Sequence, residues 1–224
     1  MKILAIIGSP RGMKGNTGRL LEEVLSGLYE DSAEIEIISL SETRLSPCVA
    51  CDTCHKSGVC PIDDDYEVIK EKLIASDAFI LASPNYIFSV TAQMKILFDR
   101  SNSLIHCLEL EGKYGAVVET SGGGEDKEVI DYMARYIGTL GAWFVGGIGS
   151  PMAGIRSFPD EANLYVRARK LGFELAAAVN GKKRFPEQEE FKNSFKARME
   201  RLVGYYCDEW TYEAEYWKNK IIRS

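Results

Sequence analysis

The sequence has no long hydrophobic run, no excess of basic charge and only two histidines. Its apolar opening, from Ile3 to Ile7, is too short for the core of a signal peptide, and no later run approaches the roughly eighteen apolar residues of a membrane helix. A net charge of −6 repels a phosphate backbone. These absences predict a cytoplasmic protein that binds neither membrane nor nucleic acid.

Two nucleotide-binding fingerprints are also missing. The first glycine-containing loop, GSPRGMKGNT at 8–17, has Met13 where a Walker A loop needs Gly-Lys, and Pro10 breaks the G-x-G-x-x-G pattern. Neither a Ser-His-Asp arrangement nor a pair of catalytic carboxylates is evident, so no side chain is predicted to be catalytic.

Five apolar, β-branched runs alternate with segments of helical character. This alternation predicts an α/β fold in which helices cover both faces of a parallel sheet, over residues 1–150. The predicted strands are 2–8, 33–40, 77–83, 114–120 and 142–149, and the predicted helices are 16–29, 64–75, 90–105 and 125–140.

Residues 151–224 depart from this rhythm and are predicted to form a helical C-terminal extension. Helices are expected at 162–179 and 191–206, followed by an aromatic arm from Tyr205 to Trp217. Packing of this arm on its own domain or on a sister subunit is one interpretation, and a lid near a cofactor is the other. Unless the arm folds back, it exposes too much apolar area for a monomer, so we expect a homodimer or homotetramer.

The loop at 8–17 follows the first strand and opens onto a helix. Ligands of open parallel sheets bind beyond the carboxyl ends of the strands. Ser9, Arg11, Asn16 and Thr17 offer hydroxyls, a cation and a helix N-terminus, which suit a terminal phosphate. The alternative is an ordinary polar turn.

Two further loops follow the third and fourth strands, SPNYIFSVTAQMKILFDR at 83–100 and TSGGG at 120–124. Gly122 to Gly124 allow the backbone to approach a flat ligand closely. Tyr86 or Phe88 could lie against a ring face, although core packing is the commoner place for such a phenylalanine.

The stretch CVACDTCHKSGVC, at 48–60, carries four of the six cysteines. It lies in an insertion, 45–62, where about five residues would connect strand to helix. In a reducing cytoplasm, clustered thiols more often serve a metal or redox centre than a disulfide. The C-x2-C-x2-C-x5-C spacing resembles ferredoxin loops, whereas zinc sites favour two separated C-x2-C hooks. Zinc, and a loop that binds nothing, remain alternatives.

Together, the three strand-end loops resemble the flavin-binding loops of the flavodoxin-like NADPH-dependent FMN reductase superfamily, over about residues 1–150. The resemblance implies a flavodoxin-like, five-stranded sheet of order 2-1-3-4-5. It implies FMN, with its phosphate on Ser9, Arg11, Asn16 and Thr17. The residues implied along the isoalloxazine ring are Pro84, Asn85, Tyr86, Ile87, Thr120, Ser121, Gly122 and Gly123.

The cysteine motif resembles that of one branch of this superfamily, the iron-sulfur flavoproteins. This implies a 4Fe-4S cluster whose metal ligands are Cys48, Cys51, Cys54 and Cys60. The expected function is an FMN-dependent oxidoreductase that passes electrons between a donor, ferredoxin or NAD(P)H, and the two centres. One alternative is an NAD(P)H-dependent FMN or quinone reductase without a cluster, and another is a non-catalytic, flavodoxin-type electron carrier.

Overall fold

Five parallel strands form one sheet at the centre of the protein. The computed structural model describes residues 1–29, 33–124, 126–154 and 156–223. The strands are β1 (Lys2–Ile7), β2 (Glu34–Ser39), β3 (Ala78–Pro84), β4 (Tyr114–Ser121) and β5 (Trp143–Pro151). Their order is β2-β1-β3-β4-β5. The predicted flavodoxin-like order is therefore confirmed.

Helices cover both faces of this sheet. They are α1 (Asn16–Ser26), α2 (Thr53–Ser57), α3 (Tyr66–Ala75), α4 (Ala92–Asp99), α5 (Asn102–Cys107), α6 (Asp126–Thr139), α7 (Glu161–Asn180), α8 (Pro186–Tyr205) and α9 (Thr211–Arg223). One core lies between the sheet and α1 and α7, and the other lies between the sheet and α3, α4 and α6. None of the helices within the described ranges is long and apolar enough to cross a membrane.

The central strands are apolar throughout because both of their faces are buried. In β1, Ile3, Ala5 and Ile7 enter the core under α1 and α7. Leu4 and Ile6 enter the opposite core. Alternate side chains of a strand point to opposite faces, so a continuous apolar run supplies both cores.

The predicted helix at 90–105 is wrong as a single element. The chain forms two helices there, α4 and α5, separated at Arg100 and Ser101. The Ser101 hydroxyl donates to the Leu97 carbonyl at 2.8 Å, and it also contacts the Tyr136 hydroxyl at 2.6 Å. A serine hydroxyl that bonds the backbone in this way competes with continued helix, so the chain turns here.

Helices α1 and α7 approach each other through two glycines. A Cβ atom on Gly172 would lie 2.1 Å from the Val24 carbonyl oxygen, and one on Gly27 would lie 2.2 Å from the Arg169 carbonyl oxygen. Real Cβ atoms do not approach backbone this closely, so each position admits only glycine without movement of a helix.

The C-terminal extension folds back onto α5. Met199 and Val203 of α8 and Trp217 of α9 form a small apolar cluster with Leu108. The Trp217 indole also donates to the His106 carbonyl at 3.0 Å. The aromatic arm thus packs in part on its own domain, although Tyr205 is 80% exposed.

Candidate functional site

The loop between β1 and α1 leads into a helix N-terminus whose backbone amides no described side chain caps. Gly12 has a φ of +51°, and a Cβ there would lie 2.8 Å from the Ser39 hydroxyl. Gly15 precedes α1, and within the described part of the chain no side chain caps the first turn of this helix. Uncapped amides and the positive end of the helix dipole together favour an anion.

The four residues predicted to hold a phosphate all lie on this loop or on the first turn of α1. Ser9 is buried and its hydroxyl accepts from the Arg11 amide at 3.2 Å. The Arg11 side chain is exposed and forms no salt bridge with any residue in the described ranges. A cation with no carboxylate partner beside a helix N-terminus fits a phosphate dianion.

Thr17 connects this loop to the loop after β4. Its hydroxyl lies 2.6 Å from the hydroxyl of Thr120, and both side chains are buried. In a pair of hydroxyls only one proton lies between the two oxygens, so the other proton is free to bond a ligand. Thr17 was predicted to bind the FMN phosphate and Thr120 to lie along the flavin ring. The direct contact between these two residues was not predicted from the sequence.

The loop after β3 is held against the end of β1 where it meets α4, and it is exposed at its tip. The Thr91 hydroxyl donates to the Gly8 carbonyl at 2.7 Å, and the Thr91 amide donates to the Ser83 hydroxyl at 3.1 Å. At the tip, Ile87 and Phe88 have φ values of 51° and 62° and are 89% and 72% exposed. Phe88 is therefore not a core residue. Exposed apolar residues with strained backbone conformations often occur at binding surfaces, so the tip of this loop is a candidate contact surface.

The glycine loop after β4 leaves open space above its backbone. The Asn85 amide donates to the Thr120 carbonyl at 2.8 Å, which aligns the loops after β3 and β4. A Cβ on Gly122 or Gly123 would meet no described atom within 4 Å. Crowding within the chain therefore does not explain these glycines, whereas close approach of a flat ligand would. This open cradle fits a flavin ring.

Beneath this loop lies a buried carboxyl group that the sequence analysis missed. Glu119 is fully buried, and neither of its carboxyl oxygens has a hydrogen-bond partner among the described residues. Burial, with a further contribution from Asp126, raises the pKa of Glu119 to about 9. The group is therefore a neutral acid at physiological pH.

We expect this acid to make folding depend on pH. The pKa of Glu119 is about 9 in the folded protein against an ordinary value of 4.5. Between these two pH values the folded protein binds one more proton than the unfolded chain. The contribution of Glu119 to the free energy of unfolding is therefore complete below pH 4.5 and is lost as the pH rises through 9. The slope is at most about 1.4 kcal/mol per pH unit. Glu119→Gln should flatten this decline and make the apoprotein more stable than wild type at pH 9.

Urea unfolding of the apoproteins between pH 5 and pH 9 measures this effect. Glu128→Gln, on the exposed side of α6, is the matched control and should follow wild type. Parallel curves for wild type and Glu119→Gln across this range would show that Glu119 is ionised in the folded protein.

The four clustered cysteines line one cavity between β2 and α3. The loop reaches this shape through left-handed residues, with φ of 51° at Ala50, 58° at Asp52 and 73° at Gly58. The Ala50 amide donates to Cys48 Sγ at 3.4 Å. The structure therefore brings all four predicted metal ligands together, with an amide directed at one sulfur.

A buried arginine also contacts this sulfur set. Arg100 Nη2 donates to Cys60 Sγ at 3.1 Å, and Nη1 donates to Asp64 Oδ2 at 2.5 Å. Partial burial opposes ionisation of Asp64, but the hydrogen bond from Arg100 prevails and lowers its pKa. Arg100 lies at the end of the quoted 83–100 segment, but its sulfur contact was not predicted.

The electrostatics of the cavity favour a cation among the thiols. Burial, then the charges of Glu213 and the other three cysteines, raises the pKa of Cys54 to about 11. Repulsion between their charges opposes joint ionisation of the four thiols, and a metal ion or iron-sulfur cluster would reverse that balance by binding the thiolates. A donor set of four sulfurs and no oxygen is the kind that iron-sulfur clusters and zinc take.

The chain is similar in sequence to a known protein family. Residues 1–154 match the family described as NADPH-dependent FMN reductase. An iron-sulfur flavoprotein of Archaeoglobus fulgidus is 34% identical over 224 residues, covering 98% of this chain and 99% of the relative.

Two solved structures share the fold. The first is RosB with a bound flavin-type intermediate, at 13% identity and a TM-score of 0.69, covering 90% of this chain and 87% of RosB. The second is a WrbA-like flavodoxin from Agrobacterium tumefaciens, at 18% identity and a TM-score of 0.57, covering 81% of this chain and 99% of that one.

Proposed function

We propose, from the premise that this chain belongs to the NADPH-dependent FMN reductase family, that it is an iron-sulfur flavoprotein. As a member of that family it is a flavin-dependent oxidoreductase. It binds FMN at the ends of β1, β3 and β4 and a 4Fe-4S cluster on Cys48, Cys51, Cys54 and Cys60. It passes electrons between a donor and an acceptor by way of both.

The observation that carries this proposal is the convergence of the four cysteines on one cavity. Three residues of this loop have left-handed backbone conformations, two of which are unfavourable for non-glycine residues. A loop that bound no ligand would gain nothing that offsets this strain. An amide and a guanidinium directed at two of the sulfurs are the kind of donors that stabilise thiolate ligands. Zinc also takes four sulfur ligands but accounts less well for the ferredoxin-like spacing.

The chain's own residues bind and orient the cofactors. Ser9, Arg11, Asn16 and Thr17 hold the FMN phosphate, and the loops after β3 and β4 hold the ring from Pro84 to Ile87 and from Thr120 to Gly123. Buried Glu119 keeps a neutral acid beneath the glycine loop after β4. When bound, FMN supplies two-electron and one-electron chemistry and the cluster supplies one-electron chemistry.

The donor and the assembly belong to the same proposal. We propose reduced ferredoxin or NAD(P)H as donor, a small molecule or protein as acceptor, and a cytoplasmic homodimer or homotetramer. Ile87 and Phe88, exposed at the tip of the loop after β3, support assembly, because a second subunit would cover their apolar surface.

Cofactor analysis of anaerobically purified protein tests the proposal. We expect FMN and not FAD, and about four irons with an equal amount of acid-labile sulfide per chain. We also expect turnover with NAD(P)H or reduced ferredoxin to be faster than that of a flavodoxin-type electron carrier. Zinc in place of iron would support the zinc alternative. Less than about one iron per chain after reconstitution with iron and sulfide, alongside NAD(P)H turnover, would favour a reductase without a cluster. Flavin without turnover on either donor would favour the carrier.

A further inference from the structure

A buried carboxylate of the C-terminal extension joins the cysteine loop to the domain. Glu213 of α9 is fully buried. Its Oε1 lies 2.6 Å from His55 Nδ1, and its Oε2 lies 3.0 Å from His106 Nδ1. His55 directly follows Cys54, and His106 lies in α5. One side chain thus connects three segments that are distant in sequence.

Aromatic stacking adds to this connection. Trp210, just before α9, stacks on His55 with ring centroids 4.4 Å apart and on His106 at 5.1 Å. The two imidazoles stack on each other at 5.0 Å with nearly parallel planes. Stacked rings with both Nδ1 atoms on one carboxylate restrict the rotation of each histidine.

Two neighbours of Glu213 also contact α2, the short helix inside the cysteine loop. The Thr211 hydroxyl donates to the Lys56 carbonyl at 3.1 Å. The ring of Tyr212 lies against Gly58, where a Cβ would come within 2.5 Å of it. Gly58 ends α2 two residues before Cys60. The extension therefore contacts the loop at the C-terminal end of α2.

The distances indicate hydrogen bonds and not a metal site of its own. Two ligand atoms on one tetrahedral zinc ion lie about 3.3 Å apart, given bonds of about 2.0 Å. The nitrogen and oxygen of His55 and Glu213 are closer than that, at 2.6 Å. A proton lies between them, so the imidazoles serve Glu213 as donors.

The His55 ring also lines the cavity that the four cysteines share. We propose that Glu213 is a positioning residue for the cysteine loop, and that α9 thereby controls how firmly the loop holds its cluster and at what reduction potential. This rests on the proposed function. A group that orients a residue beside the ligands acts as the outer layer of a metal site, where losses of ten- to a hundredfold in metal affinity are usual.

Glu213→Gln tests this role, with Glu215→Gln on the exposed side of α9 as the matched control. In the apoprotein, iodoacetamide should alkylate Cys60 of Glu213→Gln at least about tenfold faster than that of wild type, because loss of the charged hydrogen bonds releases α2. The rate is read at Cys60 because the charge of Glu213 itself raises the pKa of Cys54. In the loaded protein, an iron chelator should remove iron about tenfold faster. The cluster's midpoint potential should rise, because an anion near the cluster is lost. Glu215→Gln should match wild type in all three measurements.

The outcomes separate this inference from the proposed function. If reconstituted wild type binds no cluster, the proposed function fails, and the alkylation result alone decides whether Glu213 holds the loop. If wild type binds a cluster and Glu213→Gln equals it in alkylation, iron loss and potential, the positioning role is wrong. Should Glu213→Gln fail to fold, shown by lost FMN, His106→Phe keeps the stacking but removes one donor. It should speed alkylation and iron loss to a smaller extent, and rates equal to wild type would then show that the positioning role is wrong.

Discussion

Cys51→Ser is expected to abolish or severely destabilise the cluster while FMN content stays at the wild-type level. Cys51 lines the shared cavity, so on the proposed ligand set its loss would leave three thiol ligands for four irons. It belongs to none of the loops at the ends of β1, β3 and β4, and its exposed side chain supports no core packing. In a reductase whose cysteine loop binds nothing, the same change should have almost no effect.

Iron, acid-labile sulfide and the spin-resonance signal of dithionite-reduced protein measure this effect, with FMN quantified in the same samples. Cys207→Ser is the matched control, because Cys207 is also exposed but lies outside the loop. Equal iron and an unchanged signal in Cys51→Ser would show that Cys51 is not a ligand. Joint loss of iron and FMN would instead indicate that the loop supports the fold.

Gly172→Ala is expected to destabilise the protein by about 3 kcal/mol or more, because backbone atoms cannot move aside for the added methyl group without shifting a whole helix. The added Cβ would lie 2.1 Å from the Val24 carbonyl oxygen of α1. Helix α7 must then move away from α1, which also carries Thr17 at its start. We therefore expect weakened FMN binding in addition to reduced stability.

Gly204→Ala is the matched control for this substitution. Gly204 lies in α8, and a Cβ there meets no described atom within 4 Å. Because alanine has the higher helix propensity, this change should be neutral or stabilising by up to about 1 kcal/mol. Urea unfolding of the apoproteins measures both variants, and a Gly172→Ala midpoint equal to wild type would show that α1 and α7 separate at little cost.

Much of the fold and part of the site could be predicted because their signals are local. The continuous apolar runs predict strands buried on both faces, and the five predicted strands each overlap an observed one. The loops at 8–17, 83–100 and 120–124 carry their residue types within a few positions of a strand end, and parallel strands place those ends at one edge. Cysteine spacing, likewise, is a property of thirteen consecutive residues.

What only the tertiary structure decided depends on residues that are far apart in the chain. Arg100 reaches Cys60 across 40 positions, and Glu213 reaches His55 across 158. No periodicity or motif marks such pairs, because each side chain is ordinary in its own segment. The missed α9 and the split of 90–105 have the same origin, since contacts with distant residues stabilise one turn or one helix over its alternatives.

The protonation of Glu119 is a further property that no local pattern encodes. A glutamate in a strand is ionised when it is solvated, and it becomes a neutral acid here only because the sheet and α6 exclude water from it. Composition and spacing thus determined the fold class and the residue types available at the strand ends. Burial and long-range contact decided the charge, the orientation and the partners of those residues, because both depend on the packed fold and not on neighbours in sequence.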